Sequence, residues 1–155
     1  MRLPRVPSSL LVIYSLLSVS SLFAGSHELL PEAGIYPENR KAQFGISKDG
    51  SAYLKTRGKV DWKITIEQAG TYGITAVLSG DKALGILPKF EIWVNEEKMA
   101  DSVSLKTEKK TNYSAQVKLP AGKVSLGIMF VNDAYRPDQY DRNLYVHKVI
   151  VAEKE

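Results

Sequence analysis

The feature that most constrains the fold is an alternation of apolar and polar residues that runs from Tyr53 almost to the end of the chain. In one segment Val60, Trp62, Ile64 and Ile66 alternate with polar residues. Because successive side chains of a strand point to opposite faces, this spacing places the apolar residues on one face. No apolar pattern of helical period continues over ten residues. The alternation therefore predicts a succession of half-buried strands.

Short turn-forming segments separate these runs and are interpreted as hairpin turns. They are "QAGTY" at 68–72, "VNEEK" at 94–98 and "LPAGKV" at 119–124. Several short strands with glycine and proline between them predict an all-β fold, an antiparallel β-sandwich. Besides the run above, the residues expected to face its core lie in 74–78 and 126–130. Trp93 is expected to be buried or half-buried rather than an exposed platform for a sugar.

Residues 1–25 have the layout of a secretory signal peptide. Arg2 and Arg5 precede an apolar run from Leu10 to Phe23, and small residues follow at 24–26. The run is too short and too rich in serine for a membrane span, which needs about 20 apolar residues. We therefore expect cleavage near residues 24–26, a single domain over 26–155 without a membrane span, and a secreted or periplasmic location.

Composition narrows the classes of function. The formal net charge is +4, of which two charges are Arg2 and Arg5. The one basic run, "KTEKK" at 106–110, contains a glutamate and lacks interleaved aromatic residues, so no nucleic-acid partner is expected. The chain has no cysteine. An exported domain of this kind must be held by its core or by a metal rather than by disulfides.

The segment "FVNDAYRPDQYDRNLYV", residues 130–146, places three aspartates in one polar insert. They are Asp133, Asp138 and Asp141. Aspartates can bond nearby main-chain amides in turns, and Arg136 and Arg142 are close enough in sequence to neutralise two of them. Alternatively, carboxylates and carbonyls can hold Ca²⁺, which takes six to eight oxygen ligands. The spacing is not that of an EF-hand, and residue chemistry alone leaves both interpretations open.

A family resemblance bears on this choice. The stretch "LPAGKVSLGIMFVNDAYRPDQYDRNLYVHKVIV" resembles the C-terminal half of calcium-dependent, xylan-binding carbohydrate-binding modules of families 36 and 60. "FVND" and "DRNLYV" are its most specific parts, and "AGTYGITAV" and "PKFEIWVN" are similar to upstream strands of those modules. The resemblance covers most of 58–152. It implies a jelly-roll sandwich of the galactose-binding type, in which a calcium ion held by loop aspartates and carbonyls is coordinated by neighbouring sugar hydroxyls.

The resemblance also implies roles for individual residues of the loop. The implied calcium ligands are Asp133, Asp138 and Asp141. The implied carbohydrate-binding residues are Asn132, Tyr135, Tyr140, Arg142 and Asn143. The two asparagines would shape the loop or donate to sugar oxygens, and each tyrosine would either stack on a pyranose or pack within the loop. His147 stands where the family usually carries aspartate.

Three classes of function follow from these observations. The first is a secreted, non-catalytic domain that binds a polysaccharide such as xylan through a loop-held calcium ion. The second is a metal-free interaction or adhesion module of the periplasm or cell surface, with a protein partner. The third is a glycosidase, which needs two facing carboxylates, and no spacing among Glu91, Glu96, Glu97 and the loop aspartates selects a pair. With no cysteine and with His147 in a strand, no nucleophilic triad is indicated either, so we expect no enzyme.

Overall fold

The computed structural model describes residues 25–154, which form strands joined by short loops. Residues 1–24 lie outside this range, so the signal peptide and its cleavage stay predictions. The strands are β1 (Ser26–Leu29), β2 (Phe44–Ile46), β3 (Ala52–Leu54), β4 (Gly58–Ile66), β5 (Gly70–Gly80), β6 (Lys89–Val94), β7 (Glu97–Lys98), β8 (Val103–Ser104), β9 (Thr111–Leu119), β10 (Gly122–Phe130), β11 (Tyr135–Arg136), β12 (Tyr140–Asp141) and β13 (Leu144–Glu153). A 3₁₀ turn, Pro31–Ala33, follows β1. No helix among the described residues has the length and apolar character needed to cross a membrane.

The strands form two antiparallel sheets and one small hairpin. The first sheet has the order β2-β3-β13-β5-β9, with β1 also paired to β13. The second has the order β4-β10-β6-β7, with β8 also paired to β6. Strands β11 and β12 pair only with each other among the described residues. The predicted antiparallel all-β sandwich is confirmed.

The core lies between the two sheets and has the predicted composition. Trp62 and its alternating neighbours on β4 are buried, as are the inward residues of β5 and β10. Trp62 also donates from Nε1 to the carbonyl of Leu30 (2.8 Å), which fastens the N-terminal segment to the core. Trp93 lies half-buried on the outward side of β6, in agreement with prediction. Burial of these apolar faces is the main favourable term for a domain without disulfides.

Two of the three predicted hairpins are wrong. The turn at 94–98 is a hairpin between β6 and β7, and its central residues Asn95 and Glu96 both have positive φ. The turns at 68–72 and 119–124 instead carry the chain from one sheet to the other, because β4 and β10 lie in the second sheet and β5 and β9 in the first. Turn chemistry specifies a reversal of the chain, whereas the partner of each strand is chosen by distant residues.

The register places the ends of several strands at one end of the sandwich. Leu144, at the start of β13, lies opposite Gly80, at the end of β5. Phe130, at the end of β10, lies opposite Phe90 near the start of β6. The loops 81–88 and 131–143 therefore emerge side by side at this end, although they are about fifty residues apart in sequence.

Candidate functional site

The buried side chain of Arg142 joins the two loops. It is 5% exposed. Its Nε donates to the carbonyl of Ile86 (2.9 Å) and its Nη2 to the carbonyl of Ala83 (2.7 Å), while Nη1 donates to the carbonyl of Asn132. All three guanidinium nitrogens are thus engaged by main-chain oxygens, a use that suits the fixed fork of arginine.

The side chain of Asn132 adds a second connection. Its Oδ1 accepts from the amide of Lys89 (2.6 Å), and its Nδ2 donates to the carbonyl of Leu87 (3.0 Å). The amide of Arg142 donates to the carbonyl of Ala134 (2.9 Å), which extends the pairing of β11 with β12 by one step. The loop 131–143 is therefore held along its length rather than at its ends.

Three buried side-chain oxygens in this region have no hydrogen-bond partner. They are Oδ1 of Asp133, Oδ1 of Asp141 and Oδ1 of Asn143. Asp141 pairs with Tyr135 in the hairpin, and all three residues belong to the loop 131–143. A buried acceptor without a donor costs about 1–3 kcal/mol, more when the group is charged. Three such oxygens in one loop indicate a site for a hydrogen-bond donor or a cation.

Asp81 fixes the orientation of the Asn143 amide. The Oδ2 of Asp81 accepts from Nδ2 of Asn143 (3.2 Å) and from the hydroxyl of Tyr145 (2.7 Å), and its amide donates to the carbonyl of Asn143 (3.0 Å). Because a carboxylate accepts only, Nδ2 must face Asp81 and Oδ1 must face away. Burial raises the pKa of Tyr145, as do the hydrogen bond that its hydroxyl donates to Asp81 and the charges of Asp81 and Asp141. The hydroxyl of Tyr145 therefore keeps its proton and remains the donor of its hydrogen bond to Asp81.

The absence of a side chain at Gly80 allows the main chain of Asn143 to lie close to the end of β5. A Cβ atom there would lie 2.6 Å from the carbonyl oxygen of Asn143 and 2.6 Å from Cγ of Pro88. The first of these is a main-chain atom in a loop that is fastened by Arg142, so it cannot easily move. Gly80 is thus a condition for placing Asn143 beside the end of β5.

The structure does not bring the three aspartates together as a group. Among residues 25–154, no cluster of three or more histidine, cysteine, aspartate or glutamate side chains is close enough to hold a metal ion. Asp138 is exposed at the tip of the β11–β12 hairpin, with φ of 57°. There the amide of Gln139 closes a turn onto the carbonyl of Arg136 (3.1 Å). The roles of Asp133, Asp138 and Asp141 as ligands stay predictions. Asp133 and Asp141 share their unpartnered oxygens with Asn143, which was predicted to shape the loop or donate to a sugar.

The interpretation in which two arginines neutralise the aspartates is wrong. Ion pairs within 4.0 Å among the described residues all use lysine as the cation. Arg136 is exposed, and Arg142 is buried with its nitrogens bound to carbonyls, so its contact with a sugar stays a prediction. Tyr135 is 63% exposed and Tyr140 is half-buried.

Sequence reasoning missed Gly80, Asp81 and the segment 83–86. The single local signal for these residues in the sequence is the Gly-Asp pair itself, at the end of a long apolar run. Nothing near this pair in sequence indicates that its partners are Asn143 and Tyr145, which lie more than sixty positions away.

We predict that Arg142→Lys destabilises the protein by about 2 kcal/mol or more, because a single ammonium cannot donate to all three carbonyls. Urea unfolding measures the change. Arg136→Lys, which alters an exposed arginine of the same loop, should stay within about 0.5 kcal/mol of the wild type. Equal stability of the two variants would contradict the assigned role of Arg142.

His147 makes stability depend on pH. Its Nε2 lies 2.8 Å from Oγ of Ser79. Burial lowers the pKa of His147, the charge of Lys110 lowers it further, and Asp49 opposes the change. Because the unfolded chain then binds a proton more readily, the stability present above about pH 6.5 is lost as the pH falls from there towards the folded-state pKa.

We predict that the melting temperature falls less between about pH 7.5 and pH 5 in His147→Asn than in the wild type. Asparagine keeps a polar side chain opposite Ser79 and does not titrate. Thermal denaturation measures both curves. His27→Asn, which changes the other histidine of the chain, should show the wild-type decrease. A wild-type decrease in His147→Asn as well would contradict this prediction.

Comparison with solved structures supports the fold. The CBM36-1 domain of a multidomain xylanase from the hindgut metagenome of Trinervitermes trinervoides is similar to this chain with a TM-score of 0.65 at 10% identity, over 84% of this chain and 99% of that one. A CBM36 module in complex with calcium and xylotriose has a TM-score of 0.64 at 10% identity, over 81% and 99%. A family 35 module from Clostridium thermocellum has a TM-score of 0.60 at 16% identity, over 84% and 100%.

The sequence comparisons concern the family. No curated protein sequence matches the chain significantly. The family model described as CBM60, Ca-dependent carbohydrate-binding module, xylan-binding, matches residues 73–155, more than half of the chain. This span contains Asp81 and all the residues of the loop 131–143. With the β-sandwich and the end-loop geometry described above, the match shows that the chain belongs to carbohydrate-binding module family 60.

Proposed function

We propose that this protein binds xylan or a related polysaccharide, without cleaving it, through a calcium ion held by the loop 131–143. The observation that carries this proposal is the set of buried, unpartnered oxygens on Asp133, Asp141 and Asn143. The family match, to modules that are described as calcium-dependent and xylan-binding, supports it independently.

The donor set suits a hard divalent cation. Asp133 and Asp141 provide two carboxylates, which match the charge of one such ion, and Asn143 provides a neutral carbonyl-type oxygen. Calcium takes oxygen ligands in flexible geometry and uses carboxylates, amide oxygens and main-chain carbonyls together. A neutral water molecule could satisfy an acceptor, but it would leave the charges of both half-buried carboxylates uncompensated.

Hydrogen bonds from the surrounding residues hold this site in position without a bound ligand. Asp81 holds the Asn143 amide with its oxygen turned away from Asp81. Arg142 holds the loops 81–88 and 131–143 against each other, because its guanidinium donates to main-chain carbonyls of both loops rather than to the carboxylates. The carboxylates of Asp133 and Asp141 therefore have no ion-pair partner within 4.0 Å among the described residues.

A calcium ion bound here would supply open coordination positions that two neighbouring sugar hydroxyls can fill in place of water. Tyr135, opposite Asp141 in the hairpin, offers an exposed ring for contact with a sugar face. Asp133 and Asp141 then act as ligands, a role that would engage the oxygens needed for acid–base chemistry. This favours a non-catalytic role, and the layout of residues 1–25 favours secretion or a periplasmic location.

Calcium is expected to raise the melting temperature of the domain relative to EDTA, because a ligand that binds only the folded state stabilises it by mass action. The gain is about 2.7 kcal/mol at a hundredfold excess over Kd. Asp133→Asn and Asp141→Asn should lose most of this rise and also lose retention on insoluble xylan. Differential scanning calorimetry and affinity electrophoresis in xylan gels measure the two effects.

Asp138→Asn is the matched variant, since asparagine tolerates the positive φ of this exposed position. It should respond to calcium as the wild type does, because Asp138 lies at the hairpin tip. A loss equal to that of Asp133→Asn would instead establish Asp138 as a ligand. Wild-type retention by both Asp133→Asn and Asp141→Asn would overturn the proposed function and favour a metal-free interaction module.

A further inference from the structure

Strand β9 is a long free edge of the first sheet. It has nine residues, Thr111–Leu119, and pairs along its whole length with β5 on one side. On its other side, residues 111–119 form no main-chain hydrogen bond within the part of the chain that the structure describes. The row of unpaired amides and carbonyls on such an edge is a template for another strand.

The other edge strands are short or covered. β1, β2, β7 and β8 have four, three, two and two residues. β4 has nine residues, but Ile35 and Asp61 exchange main-chain hydrogen bonds of 2.7 and 3.1 Å at its middle. β9 contains no proline and no bulge, and Lys118, next to its last residue, is its single charge. It therefore has little of the protection that edge strands usually carry.

The sandwich is open beside this edge. A cavity of about 190 Å³ lies where β9 faces β6 and β8, and its lining includes Phe90, Ile92, Val103, Tyr113 and Ala115. Ala115 lies on the inward side of β9, as Tyr113 does, yet it is only half-buried, and Val103 is 42% exposed. A partner laid along β9 would remove this apolar lining from water.

The sequence of β9 is compatible with antiparallel pairing to a second copy of itself. In a two-fold arrangement centred on Ala115, all nine residues pair and inward residues meet inward residues. On the outward side, Asn112 then lies opposite Lys118, and Ser114 lies opposite Gln116. Each of these pairs combines a hydrogen-bonding side chain with another and brings no like charges together.

Charge and main-chain chemistry disfavour the neighbouring registers. Moving the axis to Ser114 would place Lys110 opposite Lys118, and like charges directly opposite each other are destabilising. Moving the axis to Gln116 would bring Pro120, which has no amide to donate, into the pairing. The register centred on the middle of β9 avoids both costs.

We infer that two copies of this chain associate through β9, paired antiparallel about a two-fold axis at Ala115. The same patch is then used by both subunits, as a two-fold interface requires. The first sheets of the two copies continue into one another across the axis, and the cavities of both copies lie beside it. The association thus satisfies the free edge and covers the open side of each sandwich.

The arrangement also decides how two carbohydrate sites would be placed, a consequence that rests on the proposed function. Thr111, at the start of β9, lies opposite Leu78, close to the point where the loop 81–88 leaves β5. Because the two β9 strands run antiparallel, the loop ends of the two copies point in opposite directions. The dimer would therefore join two polysaccharide chains rather than hold one chain at two points.

The test is sedimentation velocity in EDTA, without sugar, over a series of protein concentrations. The wild type should form a dimer as its concentration rises. The like-charge variant, Ser114→Lys with Gln116→Lys, places two lysines opposite each other twice across the axis. We expect its dimer dissociation constant to be about tenfold higher than that of the wild type.

The opposite-charge variant, Ser114→Lys with Gln116→Glu, is the matched control. It changes the same two exposed positions and loses the same hydrogen bond between Ser114 and Thr75, but it places opposite charges across the axis. It should dimerise at least as tightly as the wild type. A wild type that is monomeric at every concentration, or equal dissociation constants for the two variants, would overturn the inference and leave the proposed function intact.

The joining of chains is measured by the turbidity of soluble xylan in calcium. The wild type and the opposite-charge variant should raise the turbidity, whereas the like-charge variant should be retained in xylan gels and raise it less. Equal turbidity with both variants would contradict the joining of chains. Dimers in EDTA together with no xylan binding in calcium would overturn the proposed function and leave the association through β9 standing.

Discussion

The interaction on which the functional end of the molecule depends is the set of hydrogen bonds from the buried guanidinium of Arg142 to three main-chain carbonyls. A buried charge is costly unless its donors are engaged, and here each nitrogen donates to a main-chain carbonyl of the loop 81–88 or the loop 131–143. Hydrogen bonds to charged groups contribute about 1.5–3 kcal/mol each. One side chain thereby determines how two loops from distant parts of the sequence lie against each other.

This use of Arg142 has a consequence for its acidic neighbours. Because the guanidinium is bound by carbonyls, Asp133 and Asp141 keep oxygens that are buried and without donors. Asp81 accepts a hydrogen bond from the side-chain nitrogen of Asn143, so the Asn143 oxygen faces away from Asp81 and is also without a donor. The domain thus carries a local cost of folding that a cation would remove. Leu84, with its positive φ and exposed side chain, is a second local cost at the same end. Two such costs in one place are typical of a binding site.

Much of the fold could be predicted from the sequence because strand periodicity is local. The alternation along 60–66 correctly indicated which residues face the core, and Asn95 and Glu96 occupy the predicted hairpin turn. The turns at 68–72 and 119–124 were misjudged for a physical reason. A glycine-containing turn reverses the chain equally well within a sheet or between sheets, and the choice depends on long-range pairing of β5 with β9 and of β4 with β10.

By itself, the sequence determined the class of the fold, the segment that carries the acidic loop and, through "FVND" and "DRNLYV", the family to which the chain belongs. Only the tertiary structure decided which oxygens remain unpartnered, since that depends on where every competing donor goes. It separated Asp138, at an exposed hairpin tip, from Asp133 and Asp141, and it placed Asp81 and Gly80 beside Asn143 from positions that no local pattern connects with it. Hydrogen-bond satisfaction is a property of the whole packed neighbourhood, whereas periodicity and turn chemistry are properties of a few consecutive residues.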